Sequence, residues 1–303
     1  MRSRRTASLV QSEIRAMTRA CVAVGGVNMG QGICDTPTPD VVKEAAKRAI
    51  DNNQSAYAAA DGVQELREAL ARRFIDHNGM RFDPDTEIVA TLGSAGAYVC
   101  ALHALLDPGD GIVLFEPFYG YHLNAARVAG IEPTFVRLDP PNFELCLDRL
   151  RAAIRPNTRA ILVNTPMNPC GKVFTRAELE AIADVAEAHD LVILTDEVYE
   201  YLTYDGAPHV SMGSIPRAAD RTVTMGSYSK TFSITGWRIG FAAARAPLAE
   251  AIGLMNDLNY ICAPAPLQHA VATGIRELPR SYYTGLAADY AAKRDQFCAV
   301  LAE

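Results

Sequence analysis

The sequence predicts an α/β fold with three layers, in which helices cover both faces of a mostly parallel β-sheet. Short runs that are apolar at nearly every position recur along the chain, and stretches with helical spacing of apolar residues separate them. Turn-forming residues, such as Asp107-Pro108-Gly109-Asp110, stand between the two kinds of segment. Strands that are apolar throughout are buried on both faces, and intervening helices provide that cover in parallel sheets.

The elements follow from this pattern in chain order. Apolar runs predict strands over residues 87–91, 111–115, 159–163, 191–195, 222–225 and 239–242. Helical spacing predicts a helix over 95–106, after the first strand, and another over about 175–188, before the fourth. Because ligands bind beyond the carboxyl ends of strands in such sheets, the polar residues that follow these runs are the functional candidates.

Composition and charge exclude several classes of function. Of the 303 residues, 49% are hydrophobic and 21% are charged, which is the balance of a globular chain rather than a disordered one. The net charge of −6 argues against a surface for nucleic acid or acidic membranes. No uninterrupted apolar stretch reaches the roughly 18 residues of a membrane-spanning helix. We therefore expect neither nucleic acid nor membrane as a partner.

Cysteines, histidines and the N-terminal segment add to these expectations. The seven cysteines and six histidines are scattered, without CxxC or HExxH spacing. This spacing argues against a disulfide framework and against a metal centre, and it favours reduced thiols and a cytoplasmic location. The basic segment 1–6 is compatible with a transit peptide, but we favour a solvated N-terminal arm.

A run of small residues, Gly93-Ser94-Ala95-Gly96, joins the first predicted strand to its helix. Small residues let backbone N–H groups approach a ligand, and a helix N-terminus favours an anion, so phosphate is the natural guest. A tight turn without a ligand is the alternative, because the segment has neither a Walker lysine nor a full GxGxxG pattern.

Lys230 follows the fifth predicted strand and is surrounded in sequence by hydroxyl groups, with Arg238 a few residues later. A surface cation is the ordinary interpretation of such a lysine. An amine beside an anion pocket is also what Schiff-base chemistry with pyridoxal phosphate requires. Asp196, at the end of a buried-looking strand, would then pair with the pyridine nitrogen of the cofactor; an internal salt bridge is the alternative, since an unpaired buried carboxylate is costly.

Taken together, these motifs resemble the fold-type I pyridoxal-phosphate aminotransferases of class I/II, and most closely the kynurenine aminotransferase and glutamine transaminase K-like enzymes. The resemblance extends from about residue 14 to the end of the chain, in family order. The matching segments are Asn28-Met29-Gly30-Gln31-Gly32, Ser55-Ala56-Tyr57, residues 164–174, Asp196-Glu197-Val198-Tyr199, residues 227–232 and Gly236-Trp237-Arg238-Ile239-Gly240.

The resemblance implies roles for residues around the cofactor ring. Lys230 would form the Schiff base and then shuttle the proton, and Asp196 would pair with the protonated pyridine nitrogen. Tyr199 and Asn168 would hydrogen-bond the phenolic oxygen, and Tyr119 would stack on the ring. Lys230, Asp196 and Tyr199 are thus the expected catalytic residues.

The resemblance also implies how phosphate, substrate and a second subunit are bound. The expected phosphate ligands are Ser94, Ala95, Gly96, Ser227 and Arg238. Gly32 and Asn168 would lie against the amino acid substrate, and a turn glycine without a ligand is the alternative for Gly32. Tyr57 would reach the phosphate of a neighbouring subunit, so a homodimer is expected.

The same resemblance divides the chain and suggests its reaction. We expect an N-terminal arm (1–30), a large cofactor domain (31–280), and the start of a helix (281–303) leading to a small domain that is largely absent. The expected reaction moves an amino group from an α-amino acid to a 2-oxo acid by a ping-pong mechanism.

Three alternatives remain open at this stage. The first is a carbon–sulfur lyase, or another reaction at the α-carbon that uses the same cofactor. The second is a truncated, non-catalytic cofactor-binding or dimerisation protein, which the short C-terminus favours. A nicotinamide dehydrogenase is disfavoured, because the acidic ribose partner after a glycine fingerprint is absent.

Overall fold

The computed structural model describes Ser3, Leu9 and residues 13–302. The helices in this part of the chain are α1 Glu13–Ala23, α2 Asp40–Asp51, α3 Gln64–Arg73, α4 Gly93–Leu105, α5 Gly120–Ala129, α6 Leu147–Ala153, α7 Arg176–Ala188, α8 Ala246–Tyr260, α9 Ala265–Glu277 and α10 Arg280–Leu301. Helix α3 continues into a π-helical turn, Phe74–Asn78. None of the described helices is both long and apolar enough to cross a membrane.

The strands form one seven-stranded sheet. They are β1 Ile88–Leu92, β2 Gly111–Glu116, β3 Glu132–Arg137, β4 Thr158–Asn164, β5 Val192–Asp196, β6 Thr222–Ser227 and β7 Ile239–Ala243. Their order across the sheet is β1-β7-β6-β5-β4-β2-β3. Strands β6, β5, β4, β2 and β3 pair in parallel, whereas β7 is antiparallel to both β1 and β6. The predicted mostly parallel sheet is confirmed.

Alternating side chains along each strand enter two different layers. On β4, Leu162 packs in the core under α4, α5 and α8, whereas Ile161 and Val163 pack in the core under α6 and α7. On β1, Val89 joins the first of these cores, and its neighbours Ile88 and Ala90 join a third core beneath α2, α3 and α9. Helices therefore bury both faces of the sheet, as the continuously apolar strands predict.

The antiparallel strand decides which residues meet at the functional edge. Because β7 runs opposite to both β1 and β6, those two strands point the same way, and their carboxyl ends lie at one edge with those of β5, β4 and β2. The residue before β7, Arg238, lies at this same edge. Segments after five strands and one segment before a strand therefore converge there.

The expected arm over residues 1–30 falls only partly within the described residues. Helix α1 and the segment up to residue 30 belong to it, but residues 1–6, apart from Ser3, lie outside the described part, and with them the transit-peptide alternative. At the other end of the chain, α10 buries a single side chain, that of Leu286.

Candidate active site

The start of α4 is packed against β7 so closely that only glycine fits. Gly93 has a φ of +68°, and a Cβ built there would lie 2.5 Å from the Arg238 guanidinium. A Cβ on Gly240 would lie 2.3 Å from the carbonyl carbon of Gly93. Two glycines thus bring a strand, a helix N-terminus and a guanidinium to one place, which is the arrangement that binds anions.

The predicted phosphate ligands gather around this point. Ser94, Ala95 and Gly96 form the first turn of α4, and Ser227 ends β6 in register with Gly240. Arg238 donates to the backbone oxygens of Thr235 at 2.9 Å and Leu92 at 3.3 Å, which fixes its guanidinium beside the helix start. A cation, helix N–H groups and a buried serine hydroxyl together fit a phosphate group.

Asp196 ends β5 and is buried, with its carboxylate held from both sides. His122 Nε2 lies 2.9 Å from Oδ2, and the Val198 backbone N–H donates to Oδ1 at 3.3 Å. The Asn164 side chain also donates to the Asp196 backbone oxygen at 2.9 Å. A buried carboxylate that is held by hydrogen bonds is suited to bind a cationic ring nitrogen.

His122 is a site residue that the sequence analysis missed. It lies on the first turn of α5, three positions after Tyr119, which is the residue just before this helix. The two rings meet edge to face at 5.3 Å, and Tyr98 packs against His122 from the other side at 5.1 Å. The sequence contains one indication of this role: His122 follows the candidate residue Tyr119 by three positions, a spacing that can bring the two rings together.

Two tyrosines at the site stay protonated at neutral pH. Burial and the nearby negative charge of Asp196 raise the pKa of Tyr199 to about 12, against a smaller effect of its hydrogen bond with Asn168. Burial and the neighbouring Tyr121 raise the pKa of Tyr119 to about 12 as well. Neutral phenols donate hydrogen bonds, so Tyr199 and Asn168 form a donor pair next to Asp196.

Lys230 reaches the same pocket from the turn after β6. Its Nζ donates to the Gly32 backbone oxygen at 2.6 Å and lies 5.8 Å from the centre of the Tyr199 ring. The Cys34 thiol contacts the Lys230 backbone oxygen at 3.6 Å, which ties the segment around Gly32 to this turn. The structure thus brings Gly32, Lys230 and Tyr199 together.

Tyr57 is the predicted site residue that this chain does not bring to the pocket. Its side chain is 83% exposed, and its hydroxyl has no hydrogen-bond partner among residues 13–302. Asn168, by contrast, is held in the loop after β4, where its backbone N–H donates to the Asn164 side chain at 2.8 Å. Apart from Tyr57, the predicted residues occupy one edge of the sheet.

Comparisons with known proteins agree with this geometry. The family profile described as aminotransferase class I and II matches residues 24–303. An aromatic-amino-acid aminotransferase 2 of Thermococcus litoralis is 39% identical over 268 residues, which cover 88% of this chain and 69% of the relative. Human kynurenine–oxoglutarate transaminase 1 is 36% identical over 259 residues, which cover 81% of this chain and 61% of the relative.

Solved structures show the same likeness. The structure of N-succinyldiaminopimelate aminotransferase from Mycobacterium tuberculosis superposes with a TM-score of 0.97 at 34% identity. The superposition covers 100% of this chain and 79% of that one. The similarity therefore includes the whole sheet and the loops at its functional edge.

Proposed function

The chain belongs to the class I and II aminotransferase family, and from this premise we propose that Lys230 carries the cofactor and moves the proton during amino-group transfer. Members of the family depend on pyridoxal phosphate and move an amino group from an amino acid to a 2-oxo acid. The expected fold type, cofactor and reaction class are thereby confirmed. The relatives described above are aminotransferases by name, so a lyase or a non-catalytic protein is not favoured.

The observation that carries the proposal is the convergence of Lys230 with two kinds of anchor at the carboxyl edge of the sheet. The α4 N-terminus, Ser227 and Arg238 would hold the phosphate, and Ser227 ends β6 three residues before Lys230. The buried Asp196 carboxylate, at the end of the neighbouring strand β5, would hold the ring nitrogen. Lys230 lies in the turn after β6, and its Nζ is 5.8 Å from the centre of the Tyr199 ring, which belongs to the turn after β5.

The remaining residues around the ring would fix its orientation. Tyr199 and Asn168 offer hydrogen-bond donors for the phenolic oxygen, and Tyr119 offers an aromatic face. When bound, pyridoxal phosphate supplies an aldehyde that bonds to amines and a ring that stabilises a carbanion at the substrate α-carbon. His122 keeps the Asp196 carboxylate in place by its contact at 2.9 Å.

Lys230 handles the proton of the reaction. Its Nζ would take the α-proton from the substrate and later return it, so this atom would serve as both base and acid. The Gly32 carbonyl accepts a hydrogen bond from this amine at 2.6 Å. Tyr199 lies under the same amine and remains a neutral donor, because its pKa is raised to about 12.

We propose that two copies of the chain form a homodimer, with Tyr57 reaching the phosphate of the partner subunit. Tyr57 is exposed, and so are Leu254 and Leu258 on α8, at 68% and 79%. Leu254 and Leu258 are four positions apart on one face of α8, and adjacent exposed apolar side chains are expected where a second copy covers them. A mixed sample of Tyr57→Ala and Lys230→Ala chains tests the arrangement: activity should reappear on mixing, because one site of the hybrid is then complete. Two variants that stay inactive together would contradict it.

We also propose the domain division and location that the sequence predicts. Residues 31–280 would form the cofactor domain, with 1–30 as an arm and 281–303 as the start of a linking helix. Leu286 is the one buried side chain of α10, and residues 295–301 at its end are exposed, which supports the last assignment. The seven cysteines are all unpaired, which supports a reducing, cytoplasmic location.

An aromatic amino acid is the donor that we propose. Two relatives are named for aromatic or kynurenine substrates, and the Tyr119 and Tyr121 rings stack at 5.0 Å beside the pocket. The test is a spectral titration of the cofactor-loaded protein with a panel of amino acids. An aromatic donor should abolish the visible band and yield one equivalent of oxo acid. Release of ammonia, or a response only to non-aromatic donors, would overturn this assignment.

A further inference from the structure

The end of β5 and the turn after it carry four acidic or phenolic side chains, which lie in two different places. Asp196 and Tyr199 belong to the cofactor site proposed above. Glu197 and Glu200, which alternate with them, are almost fully buried elsewhere, at 2% and 8% exposure. The Glu200 backbone N–H donates to the Glu197 backbone oxygen at 3.0 Å, so all four residues belong to one tight turn. Burial of a carboxylate is costly unless partners stabilise it, so these two carboxylates should have a structural or functional role.

Glu197 is held by four donors. Oε1 accepts hydrogen bonds from the Ser211 hydroxyl, the Met212 backbone N–H and the Thr195 hydroxyl, each at 3.0 Å. Oε2 lies 3.0 Å from His209 Nε2. Burial alone would raise the pKa of Glu197, but these hydrogen bonds and the His209 charge outweigh it and lower that pKa. The carboxylate is therefore ionised and fixed to the segment at 209–212.

Glu200 is fixed to a different element, the end of α3. Its carboxylate makes an ion pair with Arg73, accepts from the Asn78 side chain at 3.4 Å and lies 3.7 Å from His77 Nε2. Arg73 also donates from Nε to the Tyr201 hydroxyl at 2.9 Å, so it grips the turn at two successive residues. Burial and the positive charge of Arg73 lower the pKa of His77 to about 3.

A metal ion is the other occupant that this cluster suggests. Ligand atoms of Glu197, Glu200 and His209 all lie within 4.8 Å of one another. However, both oxygens of Glu197 are already engaged, and the Arg73 guanidinium already supplies a positive charge to Glu200. A cation at this place would meet that guanidinium, so the cluster is suited to hold the turn rather than an ion.

We propose that Glu197 and Glu200 are positioning residues that clamp the turn from two sides and so aim Asp196 and Tyr199 at the cofactor. The inference rests on the roles proposed above for those two residues. Each clamp residue is the chain neighbour of one of them, and the turn contains four residues between β5 and Tyr201 that could otherwise shift. A displacement of about 1 Å at a catalytic group costs on the order of 100-fold in rate.

The test uses cofactor-loaded Glu197→Gln and Glu200→Gln proteins. These variants keep the shape of the side chain and remove the charge that His209 or Arg73 grips. We expect kcat to fall about 10-fold or more with KM changed less than about 2-fold, because the substrate itself is not contacted. The visible absorbance band of the bound cofactor changes with pH, and the midpoint of that change should move by about 0.5 pH unit or more. Asp196 and Tyr199 contact the cofactor and would influence this midpoint.

Arg67→Gln is the matched control. Arg67 lies on the same helix as Arg73, and the two residues are about equally buried, at 9% and 7% exposure. Arg67 donates to the Pro84 backbone oxygen and pairs with Asp61, away from the turn. It should lower the melting temperature without moving the midpoint. If the two glutamate variants behave like this control, the clamp has a structural role alone and the proposal is wrong.

A milder variant guards against misfolding. Ser211→Ala removes one of the four donors to Glu197 and should shift the midpoint and kcat in the same direction by a smaller amount. The clamp is overturned if Ser211→Ala and Glu200→Gln both fold and neither changes the midpoint or kcat. If the unsubstituted protein shows no visible cofactor band, the proposed function is wrong. If that protein shows the band and no variant moves its pH midpoint, the clamp alone is wrong.

Discussion

Gly240→Ala tests how the phosphate end of the site is built. Gly240 lies on β7 between two paired strands, opposite Thr91 of β1 and Ser227 of β6. A Cβ at this position would lie 2.3 Å from the Gly93 carbonyl carbon, 2.6 Å from Gly93 Cα and 2.7 Å from the Ser94 nitrogen. All three atoms are backbone, so no side chain can turn away to make room.

The size of the effect follows from these distances. Carbon atoms in ordinary contact lie at least about 3.5 Å apart, so the start of α4 would have to move by about 1.2 Å. Such overpacking costs about 1–3 kcal/mol of stability, and in a domain of this size that lowers the melting temperature by roughly 2–12 °C. The moved helix start would bind phosphate about 10- to 100-fold more weakly, which corresponds to about 1.4–2.7 kcal/mol.

The assay is a titration of the cofactor-free protein with pyridoxal phosphate, followed by absorbance, beside a thermal melt. Gly253→Ala on α8 is the control, because its nearest neighbour would be Val89 Cγ2 at 3.8 Å, an ordinary contact. That control should bind the cofactor normally and melt at the same or a higher temperature, since alanine favours a helix by about 1 kcal/mol over glycine. A Gly240→Ala protein with normal affinity and melting temperature would refute the reasoning.

Three further changes have defined outcomes. Arg238→Gln removes the guanidinium beside Gly93 and should raise the cofactor Kd about 10- to 100-fold in the same titration; an unchanged Kd would contradict its role. His122→Phe keeps the ring contacts but not the bond to Asp196, so kcat should fall about 10-fold with KM nearly unchanged. The lowered pKa of His77 means that the unfolded chain binds more protons below pH 6.5, so stability falls from pH 6.5 toward pH 3, and His77→Gln should melt with a weaker dependence on pH in that window. An equal dependence in both proteins would contradict it.

The strands of the sheet could be predicted because burial on both faces leaves a continuous apolar run. All six predicted runs overlap observed strands. Strand β3 is absent from the prediction for the opposite reason: it is one of the two edge strands and, unlike the buried edge strand β1, its exposed positions include Glu132, Phe135 and Arg137. A half-exposed strand that contains a proline and two charges gives no continuous apolar signal.

The candidate site was predictable where a residue follows a parallel strand, as Asp196 and Lys230 do. Arg238 precedes its strand, and the sequence alone does not reveal that β7 runs antiparallel and returns it to the same edge. His122 lies inside a helix and becomes a site residue only through its distance to Asp196. Hydropathy does not predict the clamp either. Charged residues such as Glu197 are usually exposed, and only the positions of their partners show that they are buried.

The identity of the lysine that bonds the cofactor is the central claim, and chemical trapping tests it directly. The cofactor-loaded protein is reduced with borohydride and digested, and its peptides are weighed. The mass of the reduced cofactor should appear on the peptide containing Lys230 and vanish in Lys230→Ala. Recovery of the label on another lysine, such as the buried Lys172 that pairs with Glu178, or full turnover by Lys230→Ala, would contradict the account.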